Sequence, residues 1–326
     1  MPLGFEWMAD AHIWWAGLVK PLLRLVFFLS VSLLAANIIE ALNWTRGVAR
    51  VAAPLVQLGH LRDVSGAAFS LAFVSSIAAN TMLAESHEKG ELSRRELVFA
   101  NIFNSMPAYF VHLPSMGMLV VSVLGGVGAV YVGLTLAAAV LRTLSVIVFG
   151  RIFLPPVPEG CVSCRLEEYR PATWGEAVQR SLQRFRRRMP RILYITVPVY
   201  CCVFVLQRSG GFAVVERFMQ DHVTFLAFLE PQTLSVVILH IAAEFTPAIS
   251  AAGALLDSGT IAWREIVLAL LAGNVLSTPM RAFRHQFPSY AGIFKPRLAL
   301  HLIVINQCLR AGSIVAVGVL FFYATL

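Results

Sequence analysis

Charge is almost confined to the gaps between apolar runs. Pro21–Leu42, Ser65–Ala84, Glu96–Leu113, Val127–Leu154, Ile192–Leu206, Gln232–Leu256, Glu265–Met280 and Leu298–Ala324 are apolar over lengths that approach or exceed the span of a bilayer. A helix needs roughly 20 such residues to cross about 30 Å of hydrocarbon. Shorter apolar pieces lie at Val51–Gly59, Met116–Val123 and Phe212–Leu229. Charged residues are only 13% of the chain, against roughly 25% in soluble domains. Too few polar groups remain to cover a soluble surface. That sets aside a water-soluble enzyme, a nucleic-acid-binding domain and a secreted disulfide scaffold. The expected fold is an all-α polytopic membrane protein, with the lipid bilayer as its first partner and no enzymatic activity.

The chain repeats itself. Gly90 to Ala100 reads GELSRRELVFA and Gly259 to Ala269 reads GTIAWREIVLA, with five of eleven positions identical. Asn101, Asn104, Ser105 and Pro107 answer to Asn274, Ser277, Thr278 and Pro279. His112-Leu113-Pro114-Ser115 answers to Gln286-Phe287-Pro288-Ser289, and Leu141–Ser145 to Leu309–Ser313. Four matches in one order indicate duplication. The expected organisation is an interfacial helix over 1–19, a first transmembrane repeat over 20–154, a basic cytoplasmic linker over 155–190 and a second repeat over 191–326. Trp7, Trp14 and Trp15 suit headgroup depth.

Topology turns on Ser65–Ala84 and Gln232–Leu256. If both cross, eight transmembrane helices form parallel repeats, and the basic stretches Arg46–Arg62 and Arg281–Arg297 lie outside. If both are re-entrant hairpins, three crossings per half form inverted 3+3 repeats, and those stretches lie inside with Arg151–Arg191. Cationic loops are retained on the cytoplasmic side, which favours the inverted arrangement in a bacterial-type cytoplasmic (inner) membrane. Lys20, Arg24 and the lack of Gly or Pro within Ala67–Ala84 argue the other way. The cluster Arg180, Arg184, Arg186, Arg187, Arg188 and Arg191 contributes to a net charge of +8. It reads as a topology signal touching anionic lipid, not as a nucleic-acid site.

Ionisable groups within apolar spans are costly and point to function. Glu244 lies mid-segment, with His240 one turn before it on the same face and Pro247 just after. A carboxylate beside carbonyls freed by proline can bind Na⁺ or carry H⁺; a structural pairing with an arginine is the alternative. Arg142 and Arg310 occupy matching places in the last span of each half. They suit an anion, held bidentately if it is carboxylate or phosphate, or else a structural pairing with an acid such as Glu40 or Glu244. Asn101, Asn104 and Ser105, repeated as Asn274, Ser277 and Thr278, place amides and hydroxyls on one helix face before a proline. Such a stripe orients a solute in a transporter or serves as interhelical glue. Asn80, Asn306 and Gln307 add polar groups nearby.

Cys161 and Cys164 form one CxxC, two ligands where structural zinc takes four; they are the sole metal candidates, and a homodimer would be needed to complete a site. No nucleotide-binding loop or hydrolase motif occurs.

The duplicated pattern, a Ser/Ala/Asn-rich segment, a Gly-x-[LI]-x-x-R-E helix start, then an Asn/Ser stripe and proline, resembles the Gate or nucleoside-recognition membrane proteins over about residues 40–153 and 205–325. The resemblance implies paired gates around a central polar site and leaves the substrate open. The gate cysteine of the ferrous-iron permeases in that group has no match here, which points away from iron. The resulting expectation is a secondary transporter of a small polar, neutral or anionic, organic solute such as a nucleoside-like compound, coupled to an ion or proton. A non-transporting scaffold of an envelope complex and a metal-linked permease or sensor are the alternatives.

Overall fold

The computed structural model describes residues 10–23, 53–73, 75–156, 173–208, 229–242, 245–259 and 261–326, with isolated positions between 26 and 38. Most of Pro21–Leu42 falls outside these, as do Glu40, Glu244, Cys161 and Cys164. The described residues are predominantly helical and contain no strand. Asp10 caps the first helix, α1 (Ala11–Trp14), by accepting from the His12 N–H at 2.8 Å. The Trp14 ring of α1 lies 5.5 Å from that of Phe204.

Ser65–Ala84 is not one span. It is split into α2 (Asp63–Ala72) and α3 (Ser76–Glu88), which pack against each other. The break has neither Gly nor Pro. Ser75 takes an extended backbone, φ −154°, and its hydroxyl accepts from the Ala78 N–H at 3.2 Å. A serine that caps the next helix interrupts the previous one, because its side chain replaces an intrahelical partner. With 10 and 13 residues, the two helices reach only about 15 and 20 Å at 1.5 Å per residue.

Next comes α4 (Arg94–Phe103), opened by a capping box. The Glu96 N–H donates to Ser93 Oγ at 3.3 Å, and the Ser93 N–H donates to Glu96 Oε2 at 2.7 Å. Arg62 Nε donates to the other carboxylate oxygen at 2.6 Å. Asn104, with ψ 0°, bends the chain into α5 (Ser105–Phe153). This helix is itself folded back at Gly125, whose φ of 56° and ψ of −129° suit glycine. A Cβ on Gly128 would lie 2.5 Å from the Val120 carbonyl oxygen, so the two arms, 105–124 and 126–153, touch at the turn. Tyr109 OH donates to the Val132 carbonyl at 2.9 Å and lies 2.9 Å from Thr135 Oγ1, holding the arms side by side.

The basic segment is also helical. α6 (Trp174–Arg208) runs through Pro190 and Pro198, so the boundary drawn at residue 190 falls inside a helix. Its arginines sit on a helix and not in a loop.

The same order of elements then recurs. α7 (Leu234–Ala242) and α8 (Phe245–Asp257) are short and pack together. α9 (Trp263–Leu276) bends by 46° at Ser277 into α10 (Thr278–Arg281), a π-helical turn (Ala282–Gln286) and α11 (Phe287–Phe294). Lys295, φ 65°, reverses the chain into α12 (Pro296–Ala324). Gly90 and Gly259, the first residues of the repeated motif, share a positive φ of 77° and 67°. α9 has 14 residues to the 10 of α4, one helical turn more. Arg281–Arg297, expected as a basic loop, is thus largely helical, and Arg281 is not a loop charge.

Two stretches, Met116–Phe153 and Pro296–Ala324, are long and apolar enough to cross a membrane, and the bent pair Trp263–Leu276 plus Thr278–Phe294 adds a third if it counts as one span. In the first, the turn at Gly125 leaves 126–153 as the long arm. Leu144, Val148, Ile152, Val304, Val315 and Leu320 are exposed along these helices, as expected of faces turned to lipid. This is a membrane protein by helix length and composition.

The core interlocks the two regions. Val120, Leu124 and Ala138 of α5 are buried with residues of α7, α8, α9 and α12. Residues of α2, α3 and α4 are buried with Ala291, Phe294, Ala299 and Leu302 of α11 and α12.

Candidate functional site

Where the two bent helices approach each other lies a partly open cavity of about 670 Å³. Asn101, Asn104, Ser105 and Arg142 reach it from the first region, and Asn274 and Arg310 from the second. Six of the eight residues expected to bind solute therefore share one space. Asn80 lies there too.

The asparagine one turn before each bend organises its wall. Asn101 Nδ2 donates to Asn80 Oδ1 at 2.9 Å and to Tyr290 OH at 3.3 Å, and Asn101 Oδ1 accepts from Asn306 Nδ2 at 3.3 Å. Asn274 Nδ2 donates to Tyr131 OH at 2.8 Å. Its Oδ1 accepts from Arg281 Nη2 at 2.7 Å and Arg310 Nη2 at 3.0 Å, while its backbone carbonyl accepts from Arg281 Nη2 at 2.8 Å. Each asparagine thus bonds a tyrosine from the other half of the chain. Gln307 Nε2 donates to Gln286 Oε1 at 2.7 Å nearby.

Ser277 and Thr278 do not line the cavity, contrary to expectation. Their hydroxyls turn back along the helix to the Asn274 carbonyl at 3.3 and 3.0 Å. At a bend a free carbonyl is the nearest acceptor, and hydroxyls take it. Ser105 likewise bonds the Ile102 carbonyl, yet it remains at the cavity wall. His240 is buried behind the wall and does not line it. A Cβ on Gly273 would come within 2.8 Å of His240 Cβ, so the imidazole is wedged beside the residue that precedes Asn274. Neither of its nitrogens has a partner among the described residues.

Arg281, Tyr131 and Tyr290 also line the cavity and bond its asparagines, and sequence reading passed over them. Arg281 stands seven residues after Asn274 and so two turns along the same face; that spacing is legible. A tyrosine within an apolar span also needs a partner for its hydroxyl.

Chemically the cavity is cationic and rich in amides. It holds Arg142, Arg281 and Arg310, and no Asp or Glu among the described residues lines it. Several lining groups are unfinished among the described residues, Gln307 at its Oε1 among them. Asn104 is 5% exposed, and neither its amide oxygen nor its nitrogen has a partner; Arg142 is 8% exposed, and its Nε has none. Leu113, Met116, Val120 and Ile314 make another part of the wall apolar.

Comparison with known proteins brings three uncharacterized proteins of the archaeon Methanocaldococcus jannaschii. One is 24% identical over 288 residues, covering 88% of this chain and 89% of the relative. A second is 23% identical over 314 residues, covering 94% and 93%. The third is 21% identical over 294 residues, covering 87% and 92%. The likeness therefore extends over both halves of the chain. No family profile matches the chain, and no solved structure does.

Proposed function

We propose that this protein is a secondary transporter of a small polar organic solute, with the cavity between the two bends as its binding site. The observation that carries the reading is that partly open space of about 670 Å³, lined by side chains from both halves. Small-molecule sites run from about 300 to 1,000 Å³ and combine apolar walls with a few convergent polar groups. Broken helices meeting at a midplane site are the construction that repeat-built transporters use. In this reading the halves are inverted 3+3 repeats, as in the Gate and nucleoside-recognition proteins that the sequence resembles. The pairs α2–α3 and α7–α8 are re-entrant, which agrees with their being too short to cross singly. His240, wedged against the α9 helix, and Glu244, four residues on in the sequence, are the groups for ion or proton coupling.

The scaffold reading has one observation in its favour: Asn101 and Asn274 are bonded to protein groups at both amide atoms, as interhelical glue would be. Counterflow into proteoliposomes separates the two. The full chain, loaded with unlabelled nucleosides or organic acids, should draw in at least one labelled counterpart faster than empty vesicles, and Asn274→Ala should abolish it. A folded, monodisperse protein that exchanges none of them would defeat transport and favour the scaffold.

A further inference from the structure

We infer that the solute is an oxyanion, its carboxylate or phosphate seated between Arg142 and the Asn104 amide. This deepens the transport reading and rests on it, since it assigns the charge and the docking point within the same cavity.

The three guanidiniums are not equivalent. Arg281 and Arg310 already donate to Asn274 oxygens. Arg142, 8% exposed, donates no hydrogen bond to any described residue, and its Nε is buried without a partner among them. Asn104 is also buried, and its amide is unbonded at both atoms. A buried cation and a buried amide without partners are each unfavourable, and a native fold retains them where something else completes them.

The hairpin of α5 brings the two groups to one level. Tyr109 meets Thr135 across the arms. Arg142 is seven residues beyond Thr135, and Asn104 is five residues before Tyr109, so both lie about 8–10 Å from that contact in the same direction. A carboxylate or phosphate there accepts from the guanidinium, with two parallel N–H bonds available, and from Asn104 Nδ2. Asn104 Oδ1 then remains to accept from a hydroxyl or N–H elsewhere on the solute. The body of the solute lies against Leu113, Val120 and Ile314. The anionic group belongs either to a free solute or to a lipid head.

The test is thermal unfolding of the purified full chain with sodium phosphate, uridine monophosphate, malate, uridine, and sodium chloride at matched ionic strength. At least one oxyanion should raise Tm saturably, while uridine and chloride leave it unchanged. In Arg142→Gln the Kd should weaken by about tenfold or more, with partial recovery in Arg142→Lys. Asn104→Ala should weaken it as well, and the unliganded Tm of each variant reports its folding. Nanodiscs distinguish the sources. Stabilisation by phosphatidylglycerol over phosphatidylcholine, lost in Arg142→Gln, assigns a lipid head; a soluble probe acting in phosphatidylcholine assigns a free solute. Stabilisation by uridine alone would overturn the anion and leave transport standing. An oxyanion effect unchanged in Arg142→Gln, or matched by chloride, would also overturn it. If no probe binds and the proteoliposomes are inert, both readings fail.

Discussion

The two bends begin alike and end differently. Asn101 and Asn274 stand one turn before Asn104 and Ser277, in helices that open with the same R-E pair. At the second bend the asparagine is well bonded: Asn274 takes Tyr131, Arg281 and Arg310, and the hydroxyls of Ser277 and Thr278 close on its carbonyl, while the imidazole nitrogens of neighbouring His240 have no partner among the described residues. At the first, Asn104 and Arg142 are left unfinished. The helix starts reverse this pattern. Ser93 and Glu96 form a full capping box, whereas Ala262 caps nothing and Glu265 Oε2 is buried without a partner among the described residues. Duplicated sequence has thus given one half a complete capping box and an unbonded bend residue, Asn104, and the other an uncapped helix start and a bend closed around Asn274. The proposed solute site lies where the first bend leaves Asn104 and Arg142 without partners among the described residues.

Four experiments sharpen or break that contrast, all read as thermal or denaturant stability in detergent. Gly128→Val should be the most damaging, by about 3 kcal/mol. Its branch meets the Val120 backbone, which cannot yield as a side chain could. A mild effect would mean the arms of α5 are not in contact. Next are the paired arginines. Arg310→Met removes a donor from Asn274 and should destabilise by about 1–3 kcal/mol. Arg142→Met removes an unfinished cation and should stabilise the unliganded protein by about 1 kcal/mol. Equal shifts in both variants would erase the asymmetry between the bends. Lys295→Gly relieves a φ of 65° at the second chain reversal, where the first uses glycine, and should add about 1 kcal/mol. Smallest is Ala262→Ser, which gives Glu265 its missing cap partner and should add about 0.5–1 kcal/mol, while Ser93→Ala should lose about 1 kcal/mol.

The sequence reveals the repeat, the membrane character and several polar groups of the cavity wall, because a polar side chain within an apolar run is costly unless it is paired or in use. Asn101, Asn104, Arg142, Asn274 and Arg310 were legible for that reason. The fold-back at Gly125 was barely visible, since a reversal between two apolar arms changes no composition. Ser75 hid the break in Ser65–Ala84, because a serine cap leaves no Gly or Pro behind. Ser277 and Thr278 were misplaced because the repeat aligns residues and does not say whether a hydroxyl will find a carbonyl closer than the cavity. Arg281 was hidden by its neighbours Arg284 and Arg297, which made a helix face look like a basic loop.

The central claim is that the space at the open bend is a solute passage, and chemical access to position 104 tests it most directly. With the five native cysteines replaced by serine, Asn104→Cys should react with a membrane-impermeant, anionic methanethiosulfonate added from either face of reconstituted vesicles. Bound solute should slow that reaction. A folded protein whose introduced thiol resists the reagent from both faces would show that this space is sealed packing and would contradict the account.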